Sequence, residues 1–240
     1  MGEQVKRKST LLAVIALLHL LVLPLAAAEV VVFQKYDTTM EYKDGTLHVT
    51  KELRLKNTGS APIIPGEVHF KLSKEKDGEP VPPEVSNFEV VDRYGNDLDT
   101  RKHVSKKEVD LVFNVWDPLL PDFFYDMTMT YDIKFKPRGI LFYHIVLPEE
   151  KTTIPIKGAT TTLKLPEHYH VTYASGDSEV SSEEGATAAT WDEKGNYNVE
   201  YSVIPFPRLG FRAVNAFWAL IIVLFLLNLF YRMKKKARRG

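Results

Sequence analysis

The stretch Phe123-Phe124-Tyr125-Asp126-Met127-Thr128-Met129-Thr130-Tyr131-Asp132-Ile133-Lys134-Phe135 alternates with almost no break. Phe123, Tyr125, Met127, Met129, Tyr131, Ile133 and Phe135 fall on one face. Asp126, Thr128, Thr130, Asp132 and Lys134 fall on the other. A period of two is the signature of a strand with one buried and one wet face. The same pattern recurs outward from this segment. Val109, Leu111, Phe113 and Val115 carry it, as do Val68, Phe70 and Leu72, and Leu47, Val49, Leu53 and Leu55. Further strands are predicted near Val30–Gln34, Glu84–Val91, Ile140–Leu147, Thr160–Leu165, Tyr169–Tyr173, Ala186–Trp191 and Tyr197–Ile204.

Turn chemistry separates the strands. Lys43-Asp44-Gly45, Asn57-Thr58-Gly59, Tyr94-Gly95-Asn96, Pro137-Arg138-Gly139 and Lys194-Gly195-Asn196 supply residues that tolerate positive φ or preset it. No segment between the two ends of the chain shows a 3.6-residue amphipathic period. The fold class is therefore all-β, as one or two Ig-like antiparallel β-sandwiches. About 180 residues exceed one such sandwich and fall short of two. A division near Pro137 gives a β-sandwich domain over 29–136 and a smaller β-rich domain over 137–204. A single larger sandwich is the competing arrangement. Thr46–Ser60, one strand and the turn after it, resembles a generic segment of prokaryotic surface Ig-like repeats, and no functional residue follows from that resemblance.

The ends differ from the middle. Lys6, Arg7 and Lys8 precede an apolar run from Leu11 to Leu25, and Ala26-Ala27-Ala28 follows. That is the layout of a cleavable signal peptide over 1–28. After a Pro-rich linker over 205–212, Ala213–Tyr231 runs 19 residues without a charge. At 1.5 Å per residue this is about 28 Å of helix, enough to cross a bilayer. Six cations in the nine residues 232–240 then predict a cytoplasmic tail. The expected topology is single-pass type I in the cell membrane, with the β-rich body outside the cytoplasm.

Composition narrows function by exclusion. The chain has no cysteine, so disulfides, thiolate metal sites and a Cys nucleophile are ruled out. Residues 29–211 hold 21 Lys or Arg and 30 Asp or Glu, a net charge of −9. An acidic body is a poor nucleic-acid binder and predicts a domain that stands off an anionic membrane. Absence of Cys and of N-x-[ST] sequons, with only two Gln, points to a prokaryotic and thermophilic or archaeal source.

No catalytic constellation is legible. There is no G-x-S-x-G, P-loop or dinucleotide fingerprint. Asp126 and Asp132 share a face but stand about 20 Å apart, too far for a glycosidase pair. His168 and His170, if on one strand, would face the same way and could offer two ligands to a metal. That is the basis of the alternative reading, a metal-dependent envelope enzyme. The favoured reading needs no cofactor: a non-catalytic interaction module or accessory subunit that contacts a protein or a glycan. Its candidate contact residues are Trp116, Leu119, Leu120 and Phe124 around the 117–122 loop. Asn228, polar within the span, is the candidate contact with another helix.

Overall fold

Asp44 (φ 49°) and Gly45 (φ 79°) both lie in the left-handed region, which makes a two-residue turn whose twist matches the strands it joins. That turn folds β1 (Val31–Lys43) onto β2 (Thr46–Asn57). The structure, a computed structural model, describes residues 30–183, 186–208 and 210–237. The predicted signal peptide over 1–28 and the last residues of the basic tail lie outside the described residues.

The chain continues as β3 (Gly66–Lys76), β4 (Glu79–Val81), β5 (Val85–Asp92), β6 (Thr100–Val104), β7 (Val109–Val115) and β8 (Phe124–Lys134). Then come β9 (Arg138–Gly139), β10 (Phe142–Val146), β11 (Glu149–Thr152) and β12 (Thr160–Pro166). The last strands are β13 (His170–Ala174), β14 (Glu179–Glu183), β15 (Ala186–Trp191) and β16 (Asn198–Ser202). One helix, α1 (Ala213–Ala237), closes the described chain.

Three sheets result. The largest has seven strands in the order β14-β15-β12-β1-β2-β8-β5. The second has the order β11-β3-β7-β6 with β4 paired to β3, and the third β13-β16-β10-β9. The large sheet buries one face: Leu47, Val49, Leu53 and Leu55 of β2 are each at most 2% exposed, with polar neighbours between them on the wet face. Both smaller sheets pack on that face. Tyr36 of β1 stacks on Phe70 of β3 at 6.0 Å, and Tyr42 of β1 meets Tyr201 of β16 at 6.2 Å. The fold is thus a β-sandwich with one C-terminal helix long and apolar enough to span a membrane.

The chain does turn at Pro137, between β8 and β9. The large sheet nevertheless continues across that point, because β12 runs parallel to β1 (Asp37 opposite Thr160, Met40 opposite Leu163). Side chains from both sides of Pro137 fill one hydrophobic cluster, from Phe33 and Leu111 to Ile145 and Val199.

Strand β8 buries Met127, Met129, Tyr131 and Ile133 as its alternation requires. Phe123 departs from that pattern: it precedes the strand and is 61% exposed.

Candidate functional site

Lys51 stands on the buried face of β2, in the row of Leu47, Val49, Leu53 and Leu55, where an apolar residue is due. It is 2% exposed. Its ammonium donates to the Thr38 hydroxyl on the adjacent strand at 2.8 Å and pairs with Glu150 Oε2 at 3.0 Å. Glu150 comes from β11 in the facing sheet, so the ion pair bridges the two layers. The Tyr131 hydroxyl donates to the same carboxylate oxygen at 3.2 Å, and Lys194 approaches the other at 3.9 Å. The Tyr36 ring lies against both ammonium groups, 4.7 Å from Lys51 and 5.3 Å from Lys194.

These side chains line a partly open cavity of about 350 Å³ between the layers, together with Met40, Leu72, Leu147 and Pro148. Burial pushes the Glu150 carboxyl up to about 7 against the pull of Lys194, and pushes the Lys51 ammonium well down. Dehydration disfavours both charges, and their mutual contact offsets it. Glu150 Oε1 and the Tyr36 hydroxyl are buried and make no hydrogen bond within the described residues. A buried carboxylate oxygen needs a donor, so the cavity is chemically suited to water or a small polar group. Lys51, Glu150 and Tyr131 escape a motif search. Their signal is the break in alternation at Lys51, since Lys is almost never fully buried unpaired.

The contact residues predicted from sequence separate. Trp116 (62% exposed), Leu120 and Phe124 face solvent, and Ile64 and Phe123 extend the exposed group. The Phe124 ring is flanked by Arg54 and Lys56 at 5.2 and 5.6 Å. Leu119 does not belong to that surface: it is 4% exposed. Its backbone bridges Ile63 in both directions, and its carbonyl also accepts the Asn57 side-chain amide at 2.8 Å. Closing those polar groups turns the Leu119 side chain into the core and leaves Leu120 outside.

His168 and His170 do not share a strand. His168 sits in the turn after β12 with its ring 4.0 Å from that of Tyr169, whereas His170 opens β13. Among the described residues no group of three or more His, Cys, Asp or Glu is placed to hold a metal ion. Asp126 and Asp132 are engaged on the wet face, with Arg54 (2.5 Å) and His48 (2.6 Å) respectively. Asn228 is exposed on α1.

A further junction has no motif. Glu200 of β16 is 2% exposed, and its Oε1 accepts the backbone N–H of Ala213 at 2.7 Å and of Val214 at 3.4 Å. Thr172 also donates to it, at 2.9 Å. These are unpaired N–H groups of the first helical turn, and a carboxylate there also meets the positive end of the helix dipole. Beside it the Arg212 guanidinium donates to His144 Nε2 at 2.6 Å. Phe142 packs on Phe206 and on Phe217 of α1, at 5.5 and 5.9 Å. The predicted linker over 205–212 therefore ends in a docked helix start.

No protein-family model matches the sequence, and no curated protein matches it. Among solved structures, the chain is similar to an M1 zinc metallopeptidase from Deinococcus radiodurans, at 14% identity and a TM-score of 0.39. The match covers 72% of this chain and 42% of that one, so the chain spans less than half the length of the peptidase. It is also similar to a Legionella pneumophila protein described as nutrient-binding, at 8% identity and a TM-score of 0.45, over 72% of this chain and 67% of that one.

Proposed function

We propose that the chain is a single-pass membrane protein whose exported, Ig-like β-sandwich acts without catalysis, as a recognition module or accessory subunit for a protein partner. A cleaved signal peptide and type I orientation, with the basic tail in the cytoplasm, complete this reading. The observation that carries it is the exposure of five large apolar side chains, Ile64, Trp116, Leu120, Phe123 and Phe124, around the end of β7 and the start of β8. Strand β8 runs from this end towards Phe135, which packs on Tyr42, itself against Tyr201 of β16, the strand whose Glu200 holds the first turn of α1. Eleven residue steps at about 3.3 Å separate Phe124 from Phe135 by about 36 Å. The apolar end is thus held far from the membrane, where it gains nothing from lipid and is free to meet a partner. Aromatic and aliphatic side chains flanked by Arg54 and Lys56 are the composition of a protein-binding hot spot.

Photo-crosslinking in native membranes tests this. A photoreactive residue at Trp116 or Phe124 is expected to give a discrete protein adduct that the same residue at Thr50, on the wet face of β2, does not give. Equal adducts from all three positions, or none, would overturn the proposal.

A further inference from the structure

We propose that the β9–β10 turn is a second membrane contact, in which Ile140 and Leu141 seat in the interfacial layer of an anionic bilayer beside the first turns of α1. This rests on the reading of α1 as a membrane span.

The turn is built to push apolar side chains outward. Gly139 has φ 141°, and a Cβ there would lie 1.8 Å from the Phe142 carbonyl oxygen. The backbone closes on itself so tightly that only glycine fits. Ile140 and Leu141 are left at the corner, with Ile140 87% exposed. A lone exposed apolar residue needs no explanation, but its position here does.

That position is set by the neighbouring ring contacts. Phe142 touches Phe217, four residues into α1 and so about 6 Å along its axis. Ile140 is two residues from Phe142, within about 7.6 Å of it at 3.80 Å per Cα step. Arg212 is the last charge before the uncharged stretch Ala213–Tyr231, so the hydrocarbon boundary falls in the first turns of α1. Ile140 and Leu141 therefore lie at the depth where apolar side chains leave water.

Charge points the same way. The body is acidic as a whole, yet the segment 136–141 carries Lys136 and Arg138 and no acid, and Arg212 joins Arg138 beside His144, whereas Arg208 lines a separate cleft with Asp177, Glu179 and Asp192. Asp44 and Glu167, on neighbouring turns, are outnumbered. A basic collar around an apolar tip matches anionic headgroups above an apolar core. Net charge alone predicts a body that stands off the membrane; the distribution of charge reverses that expectation at this end.

The chain lacks cysteine, so single cysteines report cleanly. Full-length Ile140→Cys and Leu141→Cys, each labelled with a polarity-sensitive fluorophore, are reconstituted into phosphatidylcholine vesicles containing phosphatidylserine. Both labels are expected to shift to the blue and to lose intensity when lipids spin-labelled near the headgroup are included. Both responses should shrink in pure phosphatidylcholine. Leu224→Cys in the middle of α1 and Val104→Cys on β6 are the references. If Leu224 is quenched by deeply spin-labelled lipid while positions 140 and 141 behave like Val104, the second contact is overturned and the span stands. If Leu224 is not quenched, the span itself is overturned. Labels at 140 and 141 that stay wet in vesicles but are shielded in native membranes would also overturn the proposal, in favour of a protein at this site.

Discussion

Glu200, in a strand of the sandwich, accepts the backbone N–H of Ala213 at 2.7 Å. A helix cap ordinarily comes from the residue just before the helix. Here that residue is Arg212, which turns to His144, and the cap comes from thirteen positions upstream in another element. The sandwich thus fixes the direction in which α1 leaves it. Ala213 is fully buried at the junction. In the proposed function, recognition at one end of the sandwich and the helix at the other are joined through this cap.

Removing the cap is expected to loosen that joint. Glu200→Ala strands two helix N–H groups, at a cost of about 1–3 kcal/mol for a buried unsatisfied group, while the Thr172 hydroxyl keeps the backbone carbonyl of residue 200 at 3.2 Å. Glu200→Gln keeps a carbonyl acceptor and loses only the charge at the helix end, about 0.3–2 kcal/mol. Spin labels at Thr50 and Leu224 should give a narrow distance distribution in the native protein and in the Gln variant. The Ala variant should broaden it. An unchanged distribution in the Ala variant would show that ring contacts alone hold the helix.

The Lys51–Glu150 pair predicts a non-additive mutant cycle. Either Lys51→Met or Glu150→Leu alone leaves a buried group without its counter-charge and should cost about 3–5 kcal/mol. The double variant removes both charges and should cost far less than the sum. Denaturant midpoints measure all three. The sign of the pH effect follows from Glu150, whose carboxyl is raised by burial from its ordinary 4.5 to about 7. The Lys51→Met variant, relative to the double variant, should be most stable below 4.5 and lose that advantage as pH rises through the raised value of the Glu150 carboxyl. A flat difference across this window would remove the buried carboxyl from the account.

Strands such as β2 and β8 were legible in the sequence because each has one wet face, so alternation survives the tertiary fold. Legibility ended where contacts between layers decide. The parallel pairing of β1 with β12, over a hundred residues apart, leaves no local trace. Leu119 and Leu120 are the same residue type in one loop, and only the backbone bridge to Ile63 decides which is buried. The Thr46–Asn57 pattern did carry the cavity in outline, since Lys51 occupies an inward position. Glu200 was hidden for the opposite reason: a polar residue in a short strand reads as wet, and its burial depends on where α1 begins.

His144 gives the membrane-proximal junction a pH response. Burial holds its imidazole below the usual 6.5, reinforced by the Arg212 guanidinium and opposed by Glu200, with Arg138 adding to the depression. Arg212 donates to Nε2, which must carry a lone pair, so only the neutral ring can accept it. A depressed histidine contributes stability that is whole above 6.5 and is lost as pH falls from there through the lowered value. The native protein should lose urea resistance over that window relative to His144→Gln, which stays neutral and can still accept from Arg212. Parallel pH profiles for the two proteins would exclude the imidazole as the titrating group.

Leu119 and Leu120 allow packing to be tested apart from the proposed recognition at two adjacent positions. Leu119 is 4% exposed and in the core cluster, so Leu119→Ala should cost about 2–5 kcal/mol. Leu120 is 45% exposed, and Leu120→Ala should change stability by no more than about 0.5 kcal/mol. The partner adduct should respond in the reverse order. At a temperature where both variants are folded, crosslinking from Phe124 should fall with Leu120→Ala and persist with Leu119→Ala, because only Leu120 presents a side chain outward. Thermal unfolding and adduct yield, read on the same preparations, give the two columns of that comparison. If both variants lose adduct in proportion to stability lost, the apolar end is a fold feature and the recognition surface lies elsewhere on the sandwich.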